Sequence, residues 1–145
     1  MTSNTEAGHY GEREVIDIIK CPHCKNKLMQ LPKNYPVYDV QCSACMFRAQ
    51  VKTNNCEPKN EILGSGWSVL EKTLKAGYLP PPLIVNFKWN ACGEQRQKVL
   101  FFPFVPKSHF KPRPLKQNGK QTREIRFNYI NLLSIPHFVL LDTHA

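Results

Sequence analysis

Four cysteines carry the clearest chemistry in the chain. Cys21-Pro22-His23-Cys24 and Cys42-Ser43-Ala44-Cys45 make a C-x2-C-x17-C-x2-C pattern. A C-x2-C turn presents two thiolates from one tight knuckle, and two knuckles complete the tetrahedron that Zn²⁺ prefers. Seventeen intervening residues are enough for a hairpin that folds back. The alternative, two disulfides or four incidental thiols, suits an oxidising compartment, and the polar first ten residues show no apolar signal-peptide core. Four thiolates leave no open coordination position, so the expected zinc is structural. His23 lies within the first knuckle but is surplus to the ligand set, and Cys56 and Cys92 are expected to be free thiols.

A second constellation flanks the second knuckle. Asp39 lies just before it, and Gln50 and Lys52 just after it. Residues two apart on a strand share a face, so Gln50 and Lys52 point together, and a hairpin would bring Asp39 to them. A carboxylate, a second oxygen donor and a lysine at one locus can hold Mg²⁺ and position a water against a phosphodiester. Asp-x10-Gln-x-Lys is also what an ordinary solvated strand face looks like, and spacing does not separate the two readings.

The elements that must position these residues read as follows. Residues 1–10 are expected to be a disordered leader, and residues 11–145 one domain. Residues 11–19 form a short helix with Val15, Ile18 and Ile19 on one face. The zinc hairpin spans 21–45, and strands are expected over 37–40 and 46–52. A polar loop covers 53–60. Residues 67–75 make the best helix, striped by Trp67, Leu70 and Leu74 and capped at Gly77. An apolar strand covers 83–89 and a turn 90–97. A further strand covers 99–105 if Pro103 sits at an edge or bulge. An irregular basic loop follows over 106–120, then strands over 124–130 and 138–141. This order gives a single α/β domain.

Twenty Lys and Arg against eleven Asp and Glu leave a net charge of +9 on 145 residues. Such a balance favours a polyanionic partner. Lys107, Lys111, Arg113, Lys116, Lys120, Arg123 and Arg126 crowd one stretch that holds a single acid, Glu124. They are the expected contacts to the phosphates of double-stranded DNA. No basic amphipathic helix and no long apolar run are present, so no membrane partner is expected. The expected setting is intracellular and cytoplasmic, and the expected host prokaryotic.

The run from Cys21 through Pro36-Val37-Tyr38-Asp39-Val40-Gln41-Cys42 to Gln50-Val51-Lys52 resembles the catalytic domain of the DpnI-like (Dam-replacing) restriction endonucleases. The similarity extends through Gly64-Ser65-Gly66-Trp67, the strand at 83–89 and the stretch 105–112, covering roughly residues 12–141. The resemblance implies a restriction-endonuclease-like PD-(D/E)xK core, a mixed sheet flanked by helices, with an inserted zinc hairpin. It implies Mg²⁺-dependent cleavage of DNA at adenine-methylated sites. Asp39 would be the metal-binding Asp, the Val51 carbonyl a metal ligand, and Lys52 the catalytic lysine. Gln50 stands where the family has Glu, and Glu14 or Glu12 would assist the metal. In the family a winged-helix domain reads the site, and here a partner chain would supply that recognition. Two other functions fit the residues: a non-catalytic zinc protein that binds DNA, and a zinc-ribbon module that docks an acidic protein.

Overall fold

The computed structural model describes residues 4–143 apart from 34, 36, 65, 66, 114, 115, 118, 119 and 122–125. For residues 4–9, 113, 116, 117, 120 and 121 it describes the backbone alone. In chain order the elements are α1 (Asn4–Ile18), β1 (Leu28–Gln30), β2 (Val40–Cys42), β3 (Arg48–Asn54), β4 (Ile62–Gly64), α2 (Trp67–Lys75), β5 (Leu83–Ala91) and β6 (Glu94–Phe102). A 3-10 turn (Lys107–His109) leads into β7 (Phe110–Arg113), β8 (Lys116–Gln117), β9 (Lys120–Gln121) and β10 (Arg126–Tyr129). A second 3-10 turn (Leu132–Ser134) precedes β11 (Phe138–Asp142).

Six strands form a mixed sheet in the order β1-β2-β3-β5-β6-β11. The β3–β5 pair is parallel and the other pairs are antiparallel. This is the mixed α/β architecture expected from the sequence. Leu83 to Phe87 are all buried, because both faces of β5 are covered. One face packs Leu83, Val85 and Phe87 against α2 and a three-stranded sheet, β4-β10-β7, through Trp67, Leu70, Phe127 and Tyr129. The other packs Ile84 against α1 through Val15, Ile16 and Ile19, and this second core reaches Cys21 and Cys42.

Several boundaries differ from expectation. α1 begins at Asn4 rather than at residue 11, so the expected leader is helical over residues 4–10. Gly11 is not a helix start but a close-packing point. A Cβ there would lie 2.5 Å from Thr53 Oγ1, so only glycine lets α1 settle onto β3. Ile18 is 40% exposed while Ile16 is buried, which turns the inward face of α1 away from the predicted one. Residues 37–39 are not strand. Val37 has φ 71, and β2 starts only at Val40. Residues 94–97 extend β6 down to a two-residue turn at Cys92-Gly93, where both φ values are positive. Pro103 ends β6 on the exposed side, because proline cannot donate to the ladder. Where an irregular loop was expected over 106–120, the described residues include β7, β8 and the start of β9. Pro112 is accommodated there because β7 is an edge strand. Among the described residues no helix is long and apolar enough to cross a membrane.

Candidate active site

The cysteine cluster lies at the start of the main sheet. Residues 21–25 close on a hydrogen bond from Lys25 N to Cys21 O, with Lys25 at φ 66. The second knuckle closes on Cys42 N to Phe47 O. The four Sγ atoms lie within 4.8 Å of one another. Cys21 and Cys45 are separated by 3.6 Å and Cys24 and Cys42 by 3.4 Å. A tetrahedral ZnS4 centre with 2.3 Å bonds places its sulfurs about 3.8 Å apart, so the cluster fits zinc. Backbone N–H groups of Ala44 and Cys45 donate to Cys42 Sγ, and Asn26 Nδ2 donates to Cys24 Sγ. These donors suit thiolates. His23 is exposed and stands edge-on to the Phe47 ring.

The knuckles hold the segment that carries Asp39. Asp39 N–H donates to Ala49 O, and Asp39 C=O accepts from Leu31 N–H, each at 2.9 Å. The residue is thus stitched to β3 on one side and to the end of β1 on the other. Its Oδ2 accepts the Val51 N–H at 2.7 Å. Gln50 N–H points the opposite way, to Pro82 O. In an extended strand the N–H and C=O of one residue face the same edge, so the Val51 carbonyl faces the Asp39 edge too. Gln50 and Lys52 share the sheet face opposite Val51.

Two further residues complete the site. Glu12, on α1, reaches Asp39 and Lys52, and Gln30 Nε2 on β1 donates to Glu12 Oε2 at 3.4 Å. Burial, and then the neighbouring Asp39 carboxylate, push Glu12 up to about 7. Burial lowers the Lys52 ammonium below its usual range, against the opposing pull of Asp39 and Glu12. Tyr129, fully buried on β10, donates its hydroxyl hydrogen to Gln50 Oε1 at 2.9 Å. Its phenol is pushed well up by burial and then by Asp39.

Glu14 lies elsewhere. Its carboxylate pairs with Lys88 Nζ at 2.8 Å and accepts from Gln97 Nε2 at 3.0 Å. Burial alone would raise it, but the Lys88 contact holds it below the usual carboxylate range. The helical stripe explains the difference. Glu12, Ile16 and Ile19 stand at i, i+4 and i+7 and share a face, whereas Glu14 aligns with the exposed Ile18. Reading Ile16 as the core residue would have selected Glu12. No local signal marks Tyr129, whose partner is 79 positions away.

Of the seven basic residues, Lys107 and Lys111 are exposed and Arg126 is half-buried. Lys107 Nζ also donates to Leu74 O. Phe127, Tyr129 and Phe110 face the core, so Lys111 and Arg126 alternate onto the outer face of the β4-β10-β7 sheet. The backbone of Arg113 pairs with Arg126. Arg123 and the side chains of Arg113, Lys116 and Lys120 lie outside the described residues.

Asp39, Glu12, the Val51 carbonyl and the Gln50 amide oxygen form a set of hard oxygen donors with a lysine beside it. Oxygen donors of this kind suit a hard cation such as Mg²⁺. No curated protein matches the chain. The family model of the Dam-replacing family, DpnI, matches residues 4–142, nearly the whole sequence. The chain belongs to the Dam-replacing (DpnI) family.

Proposed function

We propose that the chain is a Mg²⁺-dependent endonuclease acting on double-stranded DNA, restriction-type and directed to adenine-methylated sites. The family is one of restriction-type nucleases, which supports the reaction class and the substrate. The observation that carries the reading is the meeting of Asp39, Glu12 and Lys52 at one strand edge. Zn²⁺ on Cys21, Cys24, Cys42 and Cys45 is structural and holds the Asp39 segment against β3.

Asp39, Gln50, the Val51 carbonyl and Glu12 would hold Mg²⁺. When bound, the ion supplies charge for the phosphate oxygens and acidifies a water. Lys52, with its lowered proton affinity, orients the attacking water and offsets charge developing on the phosphate. Glu12 is ionised when it holds the ion, and the proton the water loses passes to solvent. The water oxygen bonds to phosphorus, a P–O ester bond breaks, and the leaving oxygen takes up a proton. Lys107, Lys111, Arg113, Lys116, Lys120, Arg123 and Arg126 bind phosphates along the duplex.

Plasmid nicking tests the reading, with methylated and unmethylated DNA and with Mg²⁺ or Mn²⁺. Cleavage by the wild type that is lost in Asp39→Ala supports it. No cleavage by wild type or Gln50→Glu on any DNA would favour a non-catalytic DNA-binding protein, a reading that the neutral side chain of Gln50 already makes worth holding. Salt-insensitive or absent DNA binding would favour the zinc-ribbon docking module.

A further inference from the structure

Beneath α1, on the side of β3 away from Asp39, lies a polar layer that the reaction does not use. Asn86 is fully buried. Its Oδ1 accepts from Gln97 Nε2 at 2.8 Å, and the same amide donates to Glu14 Oε1. Lys88 Nζ grips the other oxygen of Glu14. Asn86 pairs in register with Thr53, on which Gly11 rests. Among the described residues Thr53 Oγ1 is buried without a hydrogen-bond partner, and the Asn86 side-chain amide also leans on the Glu14 carboxylate. An apolar core would cost less, so the layer calls for a role.

Glu12 and Glu14 project about 200° apart around α1. One meets β1 and the Asp39 edge, and the other meets β5 and β6. Between them Val15, Ile16 and Ile19 make contacts that are non-directional and permit the helix to roll. The ion pair and the two amides are directional and do not. We propose that Glu14, Lys88, Gln97 and Asn86 are positioning residues: they lock the rotation of α1 on the sheet so that Glu12 is delivered to the metal site. The inference rests on the metal site proposed above.

The test is Mn²⁺ affinity of the zinc-loaded full chain, read by electron paramagnetic resonance, alongside plasmid nicking. Glu14→Gln and Lys88→Met should each weaken Mn²⁺ about tenfold or more, as loss of outer-shell support does elsewhere. In a Glu12→Gln background the same changes should have almost no further effect, because the residue they position is already disabled. The reversed pair Glu14→Lys with Lys88→Glu should recover part of the affinity. Zinc content and near-UV circular dichroism identify a variant that has simply unfolded, and the nearly isosteric Glu14→Gln is the milder of the two. Equal losses with and without Glu12, or no loss at all, overturn the proposal while leaving the nuclease reading standing. Coupled losses in a protein that cuts no DNA uphold the positioning role and sink the nuclease reading. A wild type that binds no Mn²⁺ overturns both.

Discussion

The Tyr129 hydroxyl donates to Gln50 Oε1 across 2.9 Å and joins the three-stranded sheet to the six-stranded one at the candidate metal site. A fully buried phenol must place its proton on an acceptor, and here that acceptor is the amide oxygen. An amide oxygen carries a second lone pair, which on the proposed reading would serve the cation.

Tyr129→Phe removes this anchor while keeping the ring in its aromatic cluster with Phe110 and Phe127. The expected cost is about 1 kcal/mol of stability, with weaker Mn²⁺ binding and slower nicking. Urea denaturation and a Mn²⁺ titration check the two effects separately.

Gln50→Glu is nearly isosteric and adds a negative ligand that can also accept from Tyr129. Metal affinity and cleavage should both rise. The new charge stands near Glu12 and Asp39, so the gain should be larger at pH 8 than at pH 6, where Glu12 still carries its proton. Lys52→Ala should lose cleavage and keep the metal, whereas Asp39→Ala should lose both. Calorimetric Mg²⁺ titrations and nicking assays on the four proteins separate these outcomes.

Glu12 makes the metal-free protein pH-sensitive. Its folded pKa, about 7, exceeds its ordinary value of 4.5, so the native state holds its proton more tightly than the unfolded chain does. That contribution to stability is complete below about 4.5 and is lost as pH rises through 7. Zinc-loaded, magnesium-free protein should therefore unfold at lower urea at pH 8 than at pH 5. Glu12→Gln should flatten this profile, and saturating Mg²⁺ should reverse the loss. A profile that is unchanged in Glu12→Gln would assign the effect to another group.

Cys42→Ser should abolish binding of one zinc per chain. Asp39 precedes Cys42 by three residues and is bonded to Ala49 and Val51, so its segment should loosen with the knuckle. Amide exchange at Val51 reads this directly, since its N–H is held by the Asp39 carboxylate. Protection of Val51 in a zinc-free protein would show that the strand pairing stands without the metal.

DNA affinity should fall steeply with salt. Each of Lys107, Lys111 and Arg126 changed to Ala should lower the log–log salt slope by about 0.9 if it neutralises one phosphate. An unchanged slope for all three would assign this face to solvent.

The zinc cluster and α2 were legible because their information is local. Two knuckles declare themselves by spacing, and Trp67 and Leu70 lie on one helical stripe that is buried as expected. The alternation of Ala49 and Val51 with Gln50 and Lys52 likewise survives in β3. What was not legible depends on partners distant in the chain. Whether Ile16 or Ile18 faces inward decides between Glu12 and Glu14, and that choice is made by the sheet beneath α1 rather than by the helix. The three-residue β4 carries too short a pattern to announce itself, and it exists because β10 supplies its hydrogen bonds. Tyr129 reads in the sequence as one more core aromatic, because Gln50 meets it only once β10 and β3 have been brought together.

On the proposed reading, the placement of Asp39 within the cysteine hairpin would give the protein a memory of its metal history. Magnesium held by oxygen donors would be replaced as readily as it is lost. Loss of zinc would instead take the Asp39 segment with it. A protein stripped of zinc would stay silent in any amount of magnesium until the hairpin is rebuilt. Chains made during zinc scarcity would thus emerge inert and could be awakened later by zinc alone, without new synthesis.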